Sequence, residues 1–200
     1  MSGQVHALIL AAGASRRLGQ PKPLVRLPGG QTLLEQAIAT VREAGLAAMV
    51  TVRAGDSAVD KEARRLGAQV IEVEEADEGM AASIRAGALH LSRDAAVAGV
   101  LIVLVDQWRL TAGDLTALVT TWREAGAENL VAARYAGAAG VPAVFGRAFF
   151  DRLMELRGDR GARDLLRSGD VPVVAIELPC AATDLDTPEE QVIASGSPPK

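Results

Sequence analysis

Cysteine, histidine and aromatic residues are scarce in this chain of 200 residues, and each scarcity excludes a class of protein. Cys180 is the single cysteine, so an intrachain disulfide and a cysteine metal cluster are both excluded, and a reducing, cytoplasmic compartment is expected. The two histidines, His6 and His90, lie within a predicted strand and late in a predicted helix, where structural roles are typical. No Ser/His/Asp or Cys/His catalytic arrangement can therefore be assembled from the motifs of the chain.

Long apolar runs and an excess of positive charge are also missing. No apolar run approaches the ~18 residues of a membrane span, and the N-terminus lacks the basic and apolar regions of a signal peptide. The net charge of −4 gives no reason to expect nucleic acid or a membrane surface as a partner. Because 49% of the residues are hydrophobic and no linker interrupts them, we predict one domain over 1–194 and a disordered tail over 195–200.

Short apolar runs alternate with amphipathic segments along most of the chain. Periodicity predicts strands over 5–10, 48–52, 70–73, 100–105, 130–133 and 171–176, with a short extra strand at 144–145. It predicts helices over 32–45, 57–66, 80–91, 111–125, 148–156 and 160–167, and a last one opening at Thr187. Thr32 with Glu35 forms a predicted capping box, and Thr111 a predicted N-cap. The alternation predicts a three-layer, Rossmann-like α/β fold with a mostly parallel sheet.

The first predicted strand runs into a loop of small and basic residues, LILAAGASRRLGQPK over 8–22. Small residues let backbone N–H groups approach an anion, and Arg16, Arg17 and Lys22 add the charge that phosphates need. The spacing of glycine and lysine differs from a Walker A loop and from the dinucleotide fingerprint. We predict a phosphate-binding loop at the carboxyl end of a first strand, in preference to a solvated surface turn.

Carboxylates follow the central apolar run and recur near the C-terminus. Asp106 directly follows VLIVLV over 100–105, a run typical of a central strand buried on both faces. A carboxylate at such a strand end lies at the ligand crevice of an α/β sheet, although it can also cap a turn. Asp184 and Asp186 alternate in TDLDTPEE, so both can face one hard cation if the segment is extended. For Asp184 a local hydrogen-bonding role remains an open alternative.

Two further segments combine glycine with polar groups. GMAASIRAG over 79–87 places small residues and Ser83 at a helix start, which suits either a nucleotide or tight packing on the sheet. The second segment runs from GAAGVPAVF over 137–145 to LRGDRGARDLL over 156–166. Its Arg160 and Arg163 can grip a phosphate or pair with neighbouring carboxylates at the surface.

These motifs together resemble those of the MobA-like nucleotidyltransferases, and most closely those of the molybdenum cofactor cytidylyltransferases. LAAGASRRLGQPK is similar to the signature L-A-A-G-x-S-x-R-[ML]-G-x-x-K, and DLDTP, GMAASIRAG and GDRGAR are similar to later motifs of the family. Trp108 stands where the family has the proline of D-Q-P, and Val141 where it has the histidine of G-x-x-G-H-P. The resemblance covers nearly the whole chain and implies the GT-A-like fold of nucleotide-diphospho-sugar transferases.

The resemblance implies a Mg²⁺-dependent transfer of CMP from CTP to the phosphate of molybdopterin, with release of pyrophosphate. Guanylyltransferase relatives typically carry L-A-G-G, whereas Ala12 adds a methyl here, which favours the smaller base. Transfer to a sugar or polyol phosphate is one alternative, and a non-catalytic protein that inserts the cofactor into a molybdenum hydroxylase is another. The predicted catalytic residues are Arg17, Lys22 and Asp106; the nucleotide site is Leu10, Ala11, Ala12, Gly13, Arg17, Lys22, Gly79 and Ser83; the acceptor site is Gly140, Pro142, Arg160 and Arg163; the metal ligands are Asp106 and Asp186.

Overall fold

A computed structural model of the chain describes residues 3–13, 20–126, 128–159 and 161–182. Its strands are β1 (Gln4–Leu10), β2 (Ala47–Arg53), β3 (Gln69–Val73), β4 (Val97–Leu104), β5 (Leu130–Tyr135), β6 (Ala138–Gly146) and β7 (Val173–Glu177). They form one sheet in the order β3-β2-β1-β4-β6-β5-β7. Only β6 runs antiparallel to its neighbours, β4 and β5, while the other pairings are parallel. The predicted mostly parallel sheet is confirmed.

The helices of the described residues begin close to where the sequence predicts. They are α1 (Leu33–Glu43), α2 (Ser57–Arg65), α3 (Met80–Ser92), α4 (Ala112–Ala125), α5 (Phe150–Met154) and α6 (Arg163–Arg167). The predicted capping box of Thr32 and Glu35 is present, and Thr111 caps α4 in a second box with Asp114. None of these helices is long and apolar enough to cross a membrane. The helix predicted at Thr187 and the tail lie outside the described residues.

The two larger hydrophobic clusters of the described residues lie on opposite faces of the sheet and produce the three layers. Helices α1, α2 and α4 pack on one face, and α3, α5 and α6 pack on the other. Strand β4 contributes Leu101 and Val103 to the first core and Val100 and Ile102 to the second, and all four are buried. Burial on both faces explains why its run of apolar residues is continuous rather than alternating.

Strand β6 is the main correction to the sequence prediction, which placed only a short strand at 144–145. Nine residues, Ala138–Gly146, form it. The pairing with β5 is irregular between Ala132 and Ala133, which lie opposite Ala143 and Gly140, so Val141 and Pro142 fall in the irregularity. Proline has no N–H for a ladder and is tolerated at such an irregularity. Gly140 and Pro142, which lay outside the predicted strand, therefore lie inside β6.

The last two predicted helices are shorter than their sequence pattern indicates. The segment predicted over 148–156 begins as a 3₁₀ turn, Arg147–Phe149, and continues as α5 only to Met154. In the segment predicted over 160–167, α6 begins at Arg163. Gly161 has a φ of +57°, a conformation that ordinary helical residues do not adopt. Glycine thus sets the turn that delays α6.

Helix α3 lies unusually close to β1 at Gly87. A β-carbon placed at Gly87 would overlap the Leu8 side chain, 2.7 Å from its Cδ1. Gly87→Ala is therefore expected to lower the free energy of unfolding by about 1–3 kcal/mol, because the core must shift to accept the methyl. Urea unfolding measures this change.

Gly113 in α4 provides a matched control for that substitution. A β-carbon there would meet only Thr111 Oγ1, at 3.6 Å, within ordinary contact distance. Because alanine favours a helix over glycine by up to about 1 kcal/mol, Gly113→Ala should be neutral or stabilising. Equal stability of the two variants would show that α3 has room to move away from β1.

Candidate active site

The carboxyl ends of β1 and β4 lie side by side at the centre of the sheet. Leu10 is paired with Leu104, and the Val105 N–H donates to the Leu10 carbonyl at 3.3 Å. From β1 the chain winds outward through β2 and β3, whereas β4 begins the other half of the sheet. This is the switch point at which open α/β sheets bind ligands. The residues that follow the two strands, Ala11–Gly13 and Asp106, therefore lie at the expected crevice.

Lys22 and Asp106 meet at this crevice although 84 residues separate them in the sequence. The Lys22 ammonium donates to Asp106 Oδ2, and the two side chains are only 16% and 13% exposed. A largely buried pair is weakly screened by water, so the charges interact strongly. The structure thus joins a predicted phosphate-binding cation and a predicted metal-binding carboxylate in one contact.

The other oxygen of Asp106 is buried and lacks a partner among the described residues. A buried carboxylate oxygen without a hydrogen bond is costly unless a ligand satisfies it. Mg²⁺ fits this donor, because it prefers oxygen and is usually held by one or two carboxylates together with substrate phosphates. The described residues contain no cluster of three or more metal-ligating side chains.

Several predicted site residues lie outside the residues that the structure describes. Arg17 belongs to the part of the first loop outside the described residues, and Arg160, Asp184 and Asp186 also lie outside them. Their assignments remain predictions.

The described part of the first loop is mostly buried. Leu10, Ala11 and Ala12 are buried, whereas Gly13 is exposed. The Ala11 N–H donates to the Thr51 carbonyl at 3.2 Å, which continues the pairing of β1 with β2. Ala12 packs in a small cluster whose other buried members are Val73, Ala76 and Ala82. Its methyl therefore helps to seat the loop on α3, a packing role that the comparison of L-A-A-G with L-A-G-G did not reveal.

Glycine is required at position 79 because two of the predicted motifs pack closely against each other there. Its φ is +122°, and a β-carbon would lie 2.8 Å from both Asp159 Cα and the Gly158 carbonyl oxygen. The Ala81 N–H donates to the same carbonyl at 3.1 Å. The segment predicted to lie over the nucleotide is thus joined to the G-D segment predicted to lie near the acceptor. Ser83, farther along α3, is only 4% exposed, and its assignment to the nucleotide remains a prediction.

An ion pair that the sequence did not reveal holds this junction together. Glu78 Oε1 accepts from Arg85 Nη1 at 2.8 Å and from the Gly158 N–H at 3.0 Å. Arg85 Nη1 also donates to the Leu156 carbonyl at 2.9 Å. The hydrogen bonds from Arg85, followed by that from Gly158, lower the pKa of the Glu78 carboxyl from its usual 4.5 to about 2. The seven-residue spacing of Glu78 and Arg85 across a helix start carries no recognised signal.

Acid should loosen the junction through Glu78. Because its pKa is lowered on folding, the stabilising effect is complete above the unfolded value near 4.5 and is lost as the pH falls toward 2. Glu78→Gln should therefore reduce the free energy of unfolding at pH 7, and the difference from wild type should vanish near pH 2. Urea unfolding across this pH range measures it.

Glu75 offers the control, because its carboxylate binds the same arginine at 2.6 Å but is 74% exposed. Exposed pairs contribute little, so Glu75→Gln should change stability only slightly at every pH. A pH-independent difference for Glu78→Gln would contradict the assignment.

The part of the predicted acceptor segment that lies in β6 is largely buried. Gly140 is buried, and a β-carbon there would lie 2.6 Å from Tyr135 Oη. Val141, which stands in place of the family histidine, is also buried. Pro142 follows it within β6. Arg163, by contrast, is exposed at the first residue of α6, so it is the described acceptor candidate whose charge faces solvent.

Gln107 is a second feature that sequence reasoning missed. Its side chain amide is buried beside Asp106 and donates to the carbonyls of Val141 and Ala181. The sequence signals were its position next to Asp106 and its match to the glutamine of D-Q-P, but neither indicated burial, and glutamine is more often exposed than buried. Its hydrogen-bond partners Val141 and Ala181 are distant in the sequence.

A small-residue loop, a lysine and a strand-end carboxylate at the switch point of an α/β sheet define a phosphate-handling nucleotide enzyme. The chain belongs to the family of the MobA-like NTP transferase domain, whose model matches residues 7–173. It is a nucleotidyltransferase with the fold of the nucleotide-diphospho-sugar transferases.

Relatives are similar over nearly their full length. Purine catabolism protein PucB of Bacillus subtilis (strain 168) is 30% identical over 199 residues, covering 92% of this chain and 92% of PucB. A homologue of Rv0371c from Mycobacterium sp. strain JC1 has 30% identity and a TM-score of 0.80, covering 96% of this chain and 95% of that one. Rv0371c of Mycobacterium tuberculosis H37Rv, solved as a manganese complex, has 27% identity and a TM-score of 0.77, covering 98% and 100%.

Proposed function

We propose that the enzyme transfers CMP from CTP to the phosphate of molybdopterin and releases pyrophosphate. The observation that carries the proposal is the buried pair of Lys22 and Asp106 beside Ala11–Gly13, at the carboxyl ends of β1 and β4. The similarity of the first loop to that of the cytidylyltransferases supports the choice of donor and acceptor.

The chain's own groups suit a reaction that needs alignment and charge neutralisation rather than a base. The phosphate of the acceptor has a second pKa of about 6, so it is mostly ionised at neutral pH. One of its oxygens attacks the α-phosphorus of CTP, and the bond from that phosphorus to the bridging oxygen of the β-phosphate breaks. Lys22, with Arg17, neutralises the departing pyrophosphate, while backbone groups of Ala11–Gly13 hold the base and ribose side.

Asp106 and Asp186 are the proposed ligands of Mg²⁺. If bound there, the ion would supply positive charge that offsets the negative charge of the nucleotide's phosphates. The buried, unsatisfied oxygen of Asp106 supports this assignment, as does the oxygen preference of Mg²⁺. Lys22 could bind phosphate oxygens in addition to its carboxylate partner once the nucleotide enters, since the ammonium can donate three hydrogen bonds.

A screen for pyrophosphate release tests the reaction. Each of the four NTPs is combined with molybdopterin, with a sugar phosphate and with a polyol phosphate, in Mg²⁺. We expect release with CTP and molybdopterin, and a preference for CTP over GTP of about 10–200-fold in kcat/KM if the methyl at Ala12 decides it.

The other outcomes separate the alternatives. Release with a sugar or polyol phosphate, but not with molybdopterin, would replace the acceptor. A preference for GTP would refute the base assignment. No release with any pair, together with tight binding of a finished cofactor and its transfer to a molybdenum hydroxylase, would favour the non-catalytic accessory role.

A further inference from the structure

The Gln107 side chain is hydrogen-bonded to three segments of the chain that meet at the candidate active site. Its Nε2 donates to the Val141 carbonyl at 2.8 Å and to the Ala181 carbonyl at 3.0 Å. Its Oε1 accepts from the Leu104 N–H at 3.2 Å. The residue is only 5% exposed. Both amide hydrogens are thus used, and each goes to a different distant segment.

Each linked segment carries a residue of the proposed reaction. The turn that holds Gln107 also holds Asp106, next to it in the chain. Val141 lies between Gly140 and Pro142 of the predicted acceptor site in β6. Ala181 belongs to the 3₁₀ turn Pro179–Ala182, and Asp186 follows five residues after it. One amide therefore lies where the turn of Asp106, the acceptor strand and the turn Pro179–Ala182 meet.

We propose that Gln107 is a positioning residue that keeps Asp106, the acceptor strand and the segment leading to Asp186 in a common geometry; this inference rests on the proposed function. A primary amide suits the task because it donates two hydrogen bonds in a fixed plane while its oxygen accepts a third. Neither an apolar side chain nor a carboxylate can do this, because the first makes no hydrogen bonds and the second cannot donate.

A purely structural role would have different consequences from a positioning role. If Gln107 only satisfied buried carbonyls, its loss would lower the melting temperature and leave ligand affinities intact. If it positions the metal ligands, its loss should weaken metal binding by about 10–100-fold, the usual effect of removing a group that orients a ligand. Metal affinity, measured apart from turnover, therefore distinguishes the two roles.

The experiment compares Mn²⁺ binding to the whole protein in the presence of a non-hydrolysable CTP analogue, by electron paramagnetic resonance. The variants are Gln107→Met, which keeps the length without hydrogen bonds, and Gln107→Glu, which keeps the shape without donors. Gln36→Met is the matched control, since Gln36 lies in α1 and its Nε2 donates over one helical turn, to Thr40 Oγ1 at 3.5 Å. We expect both Gln107 variants to bind Mn²⁺ about 10–100-fold more weakly, and the control to bind it as wild type does.

Tyr135→Phe tests the link to Val141 separately from the link to Ala181. The Tyr135 hydroxyl donates to the same Val141 carbonyl at 3.0 Å but makes no contact with Ala181 through that bond. Its removal should therefore leave Mn²⁺ affinity close to that of wild type, because the link between Gln107 and Ala181 remains.

Folded Gln107 variants with wild-type Mn²⁺ affinity and unchanged KM for both substrates would overturn the positioning role. A wild-type protein that binds no Mn²⁺ with the analogue would overturn the metal assignment, and this inference with it. A wild-type protein that binds Mn²⁺ but makes no product from molybdopterin would overturn the proposed acceptor alone, because the comparison of Mn²⁺ affinities needs no acceptor.

Discussion

Asp106→Asn is expected to lower kcat on the order of 10³-fold while the protein remains folded. Asparagine keeps the shape of the side chain and an oxygen that can accept from Lys22, so the contact between the two loops survives. It removes the negative charge at the buried oxygen that has no partner in the described part of the chain. The enzyme would then lose an anionic ligand for the proposed Mg²⁺.

Steady-state kinetics over a range of Mg²⁺ concentrations measures the loss, and thermal unfolding checks the fold. Asp151→Asn, which makes the same change at an exposed residue of α5, is the matched control and should be as active as wild type. Full Mg²⁺-dependent turnover by Asp106→Asn would remove Asp106 from the reaction and assign it a turn-capping role instead.

Lys22→Met is expected to weaken CTP binding by about 1.5–3 kcal/mol, or about 10–150-fold, while cytidine binding changes little. The ammonium is largely buried at the crevice, where a hydrogen bond from a charged donor to phosphate is stronger than in water. Cytidine has no phosphate, so it does not depend on that donor. Isothermal calorimetry with the two ligands measures the difference.

Lys61→Met supplies the control, since Lys61 is exposed on α2, away from the carboxyl ends of β1 and β4. It should bind both ligands as wild type does. Equal losses of CTP and cytidine affinity in Lys22→Met would mean that Lys22 acts through the shape of the crevice and not through the phosphates.

The pair itself can be examined with the double variant Lys22→Met/Asp106→Asn. Each single change removes one charge of the largely buried pair and keeps the other, whereas the double change removes both charges. Residues in contact couple by about 0.5–3 kcal/mol, so the double variant should be more stable than the sum of the single losses indicates. It should still be inactive, which separates the stability of the pair from its proposed function.

Local sequence patterns predicted the features that depend on nearby residues. The capping box of Thr32 and Glu35 involves residues three apart, and the structure contains it. The run over 100–105 is apolar on both faces, which predicts a strand that is buried on both sides. Strand β4 is buried on both sides. The small and basic first loop was placed at a strand end because strand and loop adjoin in the chain.

Local sequence patterns failed to predict the features that depend on segments distant in the sequence. Gly140 and Pro142 have low strand propensity, yet β6 includes both because β4 and β5 pair with the rest of it on either side. Glu78 and Gln107 looked like ordinary polar residues, because some of the groups they bind are distant in the sequence. Gly158 lies 80 residues from Glu78, and Val141 and Ala181 lie 34 and 74 residues from Gln107.

The sequence by itself determined the class of fold, predicted a phosphate-binding loop after the first strand and placed a carboxylate after the central strand. Each depends on periodicity or on adjacency along the chain, which a single sequence displays. Only the tertiary structure decided that Lys22 reaches Asp106, since this requires β1 and β4 to be neighbours in the sheet. It also decided that Gly79 and Gly87 are needed for close packing, because the atoms that exclude a β-carbon belong to residues 158–159 and to Leu8. Side chain type shows what a residue is able to bind, but the partner is set by which strands and loops the folded chain brings within contact distance.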